Sequence, residues 1–201
     1  MANFKMTKMI LSLFTLAFLL FSGASFGAAL SIKEISGEDL GGRGQQTVDL
    51  KASGKKATAI VFMSAKCPCS DSHVGTLKKL ASDYPDFQFL AIHSNSDETI
   101  EESRSYFKKA GLPFPAIQDA KGKYAESLKA LKTPHVFLVG SDGQILYQGG
   151  VTSSAKADTA DKIFLKDAFE DLRAGRSVKQ KEGRTLGCYI TREGDLEKKA
   201  N

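Results

Sequence analysis

Hydrophobic and polar positions along this chain alternate between the period of a strand and that of a helix. Ala57 to Met63 is an almost uninterrupted apolar run bounded by Gly54-Lys55-Lys56, the pattern of a strand buried on both faces. From Ser70 to Tyr84, Val74, Leu77, Leu80 and Ala81 recur at helical spacing and Pro85 lies just beyond, which predicts a helix. Phe87 to His93 reads as a second strand, and Asp97 as the N-cap of a helix that runs to Ala110 and stops at Gly111. A short extended Ala116-Ile117 follows Leu112-Pro113-Phe114-Pro115, then a helix over Tyr124 to Leu131. His135 to Val139 turns through Ser141-Asp142-Gly143 into Gln144 to Gln148, a hairpin, and a last helix spans Asp158 to Arg173. The order predicts an α/β fold: one mixed central sheet flanked by helices, with one antiparallel edge.

The first residues break this pattern. Lys5 and Lys8 precede an apolar run from Met9 to Phe21, followed by the small residues Ser22 to Ala29. A core shorter than the ~20 residues of a spanning helix, with a small-residue region after it, predicts a secretory signal peptide over residues 1–27. An uncleaved membrane anchor is the competing reading. The chain then divides into a lead-in at 28–46, one domain at 47–175 and a tail at 176–201. Export to the periplasm or medium would place all three cysteines, Cys67, Cys69 and Cys188, where disulfides persist, and an odd count leaves one thiol over or shared.

Charge excludes one class of partner. Of 28 basic residues, loss of Lys5 and Lys8 with the leader leaves 26, against 23 acidic, a net +3. The lysines are interspersed with acids, so neither a nucleic-acid surface nor, apart from the leader, a membrane surface is expected. About 170 remaining residues suffice for one domain with its own core.

The candidate chemistry lies where the first strand ends. Phe62 to Ser70 reads Phe-Met-Ser-Ala-Lys-Cys-Pro-Cys-Ser, placing Cys67, Pro68 and Cys69 at a helix start. Unpaired N–H groups and the positive end of the helix dipole favour the Cys67 thiolate there, and Lys66 is expected to push the same way. The same thiols admit two quieter readings, as small buried hydrophobes or as part of a metal site.

A cysteine at a strand end, a βα unit, Phe-Pro before a short strand and Thr133-Pro134 leading into an Asp-Gly hairpin resemble the thioredoxin fold, in its AhpC/TSA and TlpA-like redoxin branch. The resemblance covers about Thr47 to Leu172 and implies a cis Thr133-Pro134 bond facing the redox cysteine. Such a bond would leave the backbone of Thr133 exposed to pair with a substrate peptide. Thr133, Pro134, Pro68, Lys66 and Ser64 are thereby implicated in positioning the substrate. Departures are also plain. Against the Trp-Cys-x-x-Cys motif, Lys66 replaces the tryptophan and Ser70 the second cysteine, which leaves Cys69 out of register. A Cys67–Cys69 disulfide would close a small, strained ring. Against the peroxiredoxin motif, Ser64 occupies the threonine position, where its hydroxyl could meet a peroxide oxygen, but Ile60 replaces the proline.

The tail adds Gly187-Cys188-Tyr189-Ile190, similar to a Gly-Cys-x-Ile terminus of exported redoxins. Cys188 could resolve a mixed disulfide on Cys67, bridge Cys67 permanently, or pair between chains. The implied activity is thiol–disulfide exchange through Cys67, resolved by Cys188 or Cys69. It needs no cofactor, acts on protein or small-molecule disulfides, and draws on an upstream thiol reductant. A thiol peroxidase on the same site, antioxidant in effect, is one alternative. A copper-binding protein similar to the Sco type, using Cys67, Cys69 and His73 or His135, is another. His93 is assigned no role.

Overall fold

The computed structural model describes residues 32–51 and 54–195; the predicted signal peptide lies outside them. The described elements run β1 (Glu34–Asp39), β2 (Gly44–Asp49), β3 (Ala57–Phe62), α1 (Pro68–Asp83), β4 (Gln88–His93), α2 (Ile100–Ala110), β5 (Ala116–Gln118), α3 (Lys123–Leu128), β6 (Lys132–Thr133), β7 (His135–Gly140), β8 (Ile145–Gly149), α4 (Phe164–Arg173) and β9 (Cys188–Tyr189). Every residue of β3 is buried, as its apolar run requires, and β3 lies inside a seven-stranded sheet ordered β2-β1-β5-β4-β3-β7-β8. The β3, β4 and β5 strands are parallel, β7 runs antiparallel to β3, and β8 runs antiparallel to β7.

Alternate β3 residues feed two cores. Ala59, Val61 and Met63 pack with Leu77 and Leu80 of α1, Phe107 of α2 and Phe169 of α4. Ile60 and Phe62 face the other side, with Tyr124 and Leu128 of α3 and with Ile190 of the tail. This mixed sheet between helices is the α/β architecture that the residue pattern predicted and the thioredoxin-like fold that the resemblance implied.

The sheet has two antiparallel edges rather than one. Its second edge is the β1–β2 hairpin, drawn from the stretch read as a lead-in. Ile35 and Asp39 are the buried residues of β1, and Val48 that of β2, so the hydrophobic signal there is too sparse to announce a strand. A buried carboxylate fastens the hairpin instead: Asp39 accepts from the backbone N–H of Ala116 (2.7 Å) and of Arg43 (2.9 Å).

Three helix boundaries also move. The N-cap of α2 is Thr99 rather than Asp97, because Thr99 and Glu102 form a reciprocal capping box. Gly111 ends α2 in the left-handed conformation, as expected. The α3 helix stops at Leu128, where Lys129 turns left-handed, and α4 begins at Phe164, after a separate 3₁₀ turn at Ala157–Thr159.

Candidate active site

The chain leaves β3 at Phe62 and reaches α1 through Met63 to Lys66. Cys67 is the N-cap of α1, with no side-chain oxygen to cap the helix, and Pro68 is the first helical residue, where its missing N–H costs nothing. Cys67 is therefore held where unpaired amides gather, and it is 1% exposed.

A carboxylate from the loop before α2 organises the approach to Cys67. Glu98, itself buried, accepts from the Ser64 hydroxyl, from the backbone N–H of Ala65 (2.7 Å) and from that of Lys66 (3.3 Å), and it meets His93 Nε2 at 2.9 Å. The side chains of His93 and Glu98 are 0% and 1% exposed. Burial alone would raise the Glu98 pKa, but hydrogen bonds from His93, Ser64 and Ala65, with the His93 charge, outweigh it and hold the carboxyl below its usual range. Ser70, buried in the first turn of α1, accepts from the Ser64 N–H at 3.2 Å and closes the loop from the other side.

This arrangement corrects two sequence expectations. The Ser64 hydroxyl spends its one proton on Glu98, so only its lone pairs are left to meet an incoming peroxide. Lys66 is turned away from the thiol: its Nζ lies 3.1 Å from Glu102 and donates to the Asp97 carbonyl at 2.7 Å. Lys66 is not among the largest influences on Cys67.

The Thr133–Pro134 bond is cis. The Thr133 carbonyl accepts from the Cys67 thiol at 3.1 Å, while the Thr133 hydroxyl is buried with no other hydrogen-bond partner. The exposed edge foreseen for a substrate peptide is taken. Here β6 pairs antiparallel with β9, Thr133 opposite Cys188 and Lys132 opposite Tyr189, and the Ile190 N–H donates to the Leu131 carbonyl at 2.9 Å. The approach is so close that a Cβ on Gly187 would lie 1.9 Å from the Thr133 oxygen, so no other residue fits there without displacing the strand. Farther along, Ser96 and Arg192 tie the tail down through the Thr191 and Ala130 carbonyls, each 2.7–2.9 Å away.

The fold thus brings Cys67, Cys69 and Cys188 together, their three sulfurs all within 4.8 Å of one another and none joined to another. Burial pushes the Cys67 thiol up. Hydrogen bonds from the Cys188 thiol, from Thr133 and from the Ser70 and Cys188 backbones outweigh it and bring the pKa down to about 7. Cys188 moves the other way, to about 12, through burial, its bond to Cys67 and the charge of that thiolate; Cys69 is raised by burial and the same charge. Of the three, Cys67 is the thiol that ionises most readily.

The histidines proposed as partners of the thiols do not join them. The His73 ring is held between the Cys69 carbonyl (2.7 Å) and Thr152 Oγ1 (2.8 Å), which occupies both nitrogens. The half-buried His135 packs against Phe137, ring centroids 4.4 Å apart, and desolvation pushes its pKa down to about 4. His93, given no role in the sequence reading, is the one histidine tied to the loop that carries Cys67.

A thioredoxin-like sheet with a thiol at the N-terminus of α1, opposite a cis-proline, defines the class of protein. Residues 28–163 match the Redoxin family profile, and the chain belongs to that family. It is 35% identical over 101 residues to the thiol:disulfide interchange protein CycY of Rhizobium leguminosarum bv. viciae, covering 50% of this chain and 52% of that protein. The chain thus spans about half the length of that curated relative. Among solved structures it superposes on an uncharacterized conserved protein from Geobacillus kaustophilus with a TM-score of 0.72, at 24% identity, covering 83% of this chain and 92% of that one. A hypothetical protein from Sinorhizobium meliloti 1021 gives a TM-score of 0.71, also at 24% identity, over 83% and 93%. Both share its fold.

Proposed function

We propose that this redoxin is an exported thiol–disulfide oxidoreductase in which Cys67 is the nucleophile and Cys188 the resolving thiol. The observation that carries the reading is the juxtaposition of the Cys67 and Cys188 sulfurs, within 4.8 Å of each other beside the cis-proline. The interchange activity in the name of the CycY relative agrees with it, and export rests on the N-terminal sequence.

Near neutral pH a large fraction of Cys67 is thiolate. It attacks one sulfur of a substrate disulfide; a Cys67–substrate disulfide forms and the other substrate sulfur leaves as thiolate, taking a proton from water. The Thr133 hydroxyl and the amides at the start of α1 stabilise the charge until it is spent. Loss of that charge relieves the repulsion that kept Cys188 protonated. Cys188 then releases its proton and attacks Cys67 Sγ, freeing the second substrate thiol. The substrate has gained two electrons and two protons, and the protein holds a Cys67–Cys188 disulfide that an upstream thiol reductant reopens. Cys188 is better placed than Cys69 to resolve, since it comes from a separate strand and closes no strained two-residue ring.

The test follows oxidised glutathione reacting with the reduced protein, with the products mapped by peptide mass. Wild type ends as Cys67–Cys188. Cys67→Ser abolishes reaction, and Cys188→Ser accumulates glutathione on Cys67. Full turnover by Cys188→Ser through Cys69 would overturn the assignment of the resolving thiol; turnover by Cys67→Ser would overturn the mechanism.

A further inference from the structure

Disulfide exchange needs two thiols, and the site holds three. Cys67 comes from the N-cap of α1, Cys69 from its first turn and Cys188 from β9, and their sulfurs converge within 4.8 Å. A third sulfur in so small a space is surplus to the reaction proposed above. Among the described residues, no histidine or carboxylate joins the group.

We propose that the reduced site binds one Cu(I) ion through the Sγ atoms of Cys67, Cys69 and Cys188. An all-thiolate donor set is soft and selects a soft ion. With metal–sulfur bonds of about 2.3 Å, three sulfurs around one ion in a plane stand roughly 4 Å apart. The three sulfurs need therefore close by no more than about 1 Å, within reach of side-chain rotation at the half-buried Cys69 and Cys188. A closed zinc site would want a fourth protein ligand, and none is placed to serve among the described residues. Binding releases to solvent the protons that the three thiols still carry and leaves a complex of charge −2, which faces the N-terminal amides of the 16-residue α1. Half-exposure of two of the sulfurs gives the ion its way in. Because a Cys67–Cys188 disulfide removes two of the three donors, copper binding and disulfide exchange are mutually exclusive states of one site.

The experiment is an anaerobic competition between the fully reduced full chain and bicinchoninate for Cu(I), with X-ray absorption on the loaded protein. One ion per chain is expected, surrounded by three sulfurs. Cys188→Ser and Cys69→Ser should each weaken binding more than about tenfold, and pre-oxidised protein should bind none. His73→Ala and His135→Ala should bind as wild type. Circular dichroism of each variant confirms that the fold is kept. Wild-type affinity in Cys188→Ser, a nitrogen neighbour in the absorption spectrum, weakened binding in either histidine variant, or displacement of Cu(I) by one equivalent of Zn²⁺ would each overturn the site. Glutathione exchange measured on metal-free protein with a chelator present is a separate reading: a chain that exchanges disulfides yet fails to hold Cu(I) refutes only the metal site.

Discussion

Cys67 and Cys188 end within bonding reach of the same small volume, but the two regions that deliver them are built differently. Cys67 sits at a junction between a fully buried strand and a long helix. Its loop is fixed by a buried carboxylate with four partners, one of them the enclosed His93. Cys188 arrives on a two-residue strand held by a short ladder, a few backbone hydrogen bonds and one buried anchor, Ile190, while its neighbour Tyr189 remains 71% exposed under the Lys132 ammonium. Burying Ile190 stabilises docking by about 1.5–3 kcal/mol, far less than a domain core supplies. The difference suits the chemistry. An attacking thiolate needs a constant environment to keep its pKa low, whereas a resolving thiol that occupies the edge a substrate peptide would use has to be able to leave it.

Removing the support of the first region should have the largest effect. Glu98→Ala strips Ser64, Ala65 and Lys66 of their shared acceptor and leaves buried His93 without its carboxylate, with only Gln118 and Ser103 beside it, so thermal or denaturant unfolding should show a loss of about 3–5 kcal/mol. A loss under about 1 kcal/mol would mean that the junction is held by packing alone. In the second region, Gly187→Val should free the tail while sparing the domain. We expect the global unfolding midpoint to shift little and hydrogen exchange at Ile190 and Cys188 to accelerate more than about tenfold, since the lost docking is of the order of 1.5 kcal/mol or more. Unchanged exchange there would show that β9 tolerates a side chain at this contact.

The two thiols should also separate by pH. Alkylation of Cys67 by iodoacetamide should rise to half its maximal rate near pH 7, with Cys188 still inert at that pH. Folding lowers the Cys67 pKa from its ordinary 9.0, so the stability this thiolate contributes is present above pH 9 and is lost as the pH falls through 7. Equal alkylation of both cysteines at neutral pH would erase the contrast. The smallest effect is expected from Lys66→Ala: with its ammonium on Glu102 and the Asp97 carbonyl, its removal should leave the Cys67 midpoint in place, and a rise of a full unit would restore its expected role as an activator.

Much of the fold was legible because it rests on local periodicity. The β3 run, the Leu77 and Leu80 face of α1, the Gly111 stop and the Asp-Gly hairpin all appear as patterns within a few residues. The Thr-x-x-Glu box at Thr99–Glu102 was equally visible, and the nearer Asp97 drew attention from it. The β1–β2 hairpin was not readable, since an edge with few buried side chains carries almost no hydrophobic signal. In the site, the position of Cys67 and the cis bond before Pro134 could be read from motif and neighbours. That Glu98 lies under the loop, that Lys66 faces α2, and that both nitrogens of His73 are taken could not, because each depends on a partner well away along the chain or on a rotamer set by packing.

By itself the sequence determined that a thiol would stand at a strand–helix junction in a sheet between helices, and its resemblance to the redoxins implied a proline loop opposite that thiol. Side-chain period, Pro68 at a helix start and a Thr-Pro before a strand are local properties, and local properties survive in a one-dimensional string. Only the tertiary structure decided which thiol is ionised and which others lie beside it. The low pKa of Cys67 comes from the Cys188 thiol and from Thr133, residues 121 and 66 positions away, and such charges and hydrogen bonds exist only once β9 has laid itself along β6.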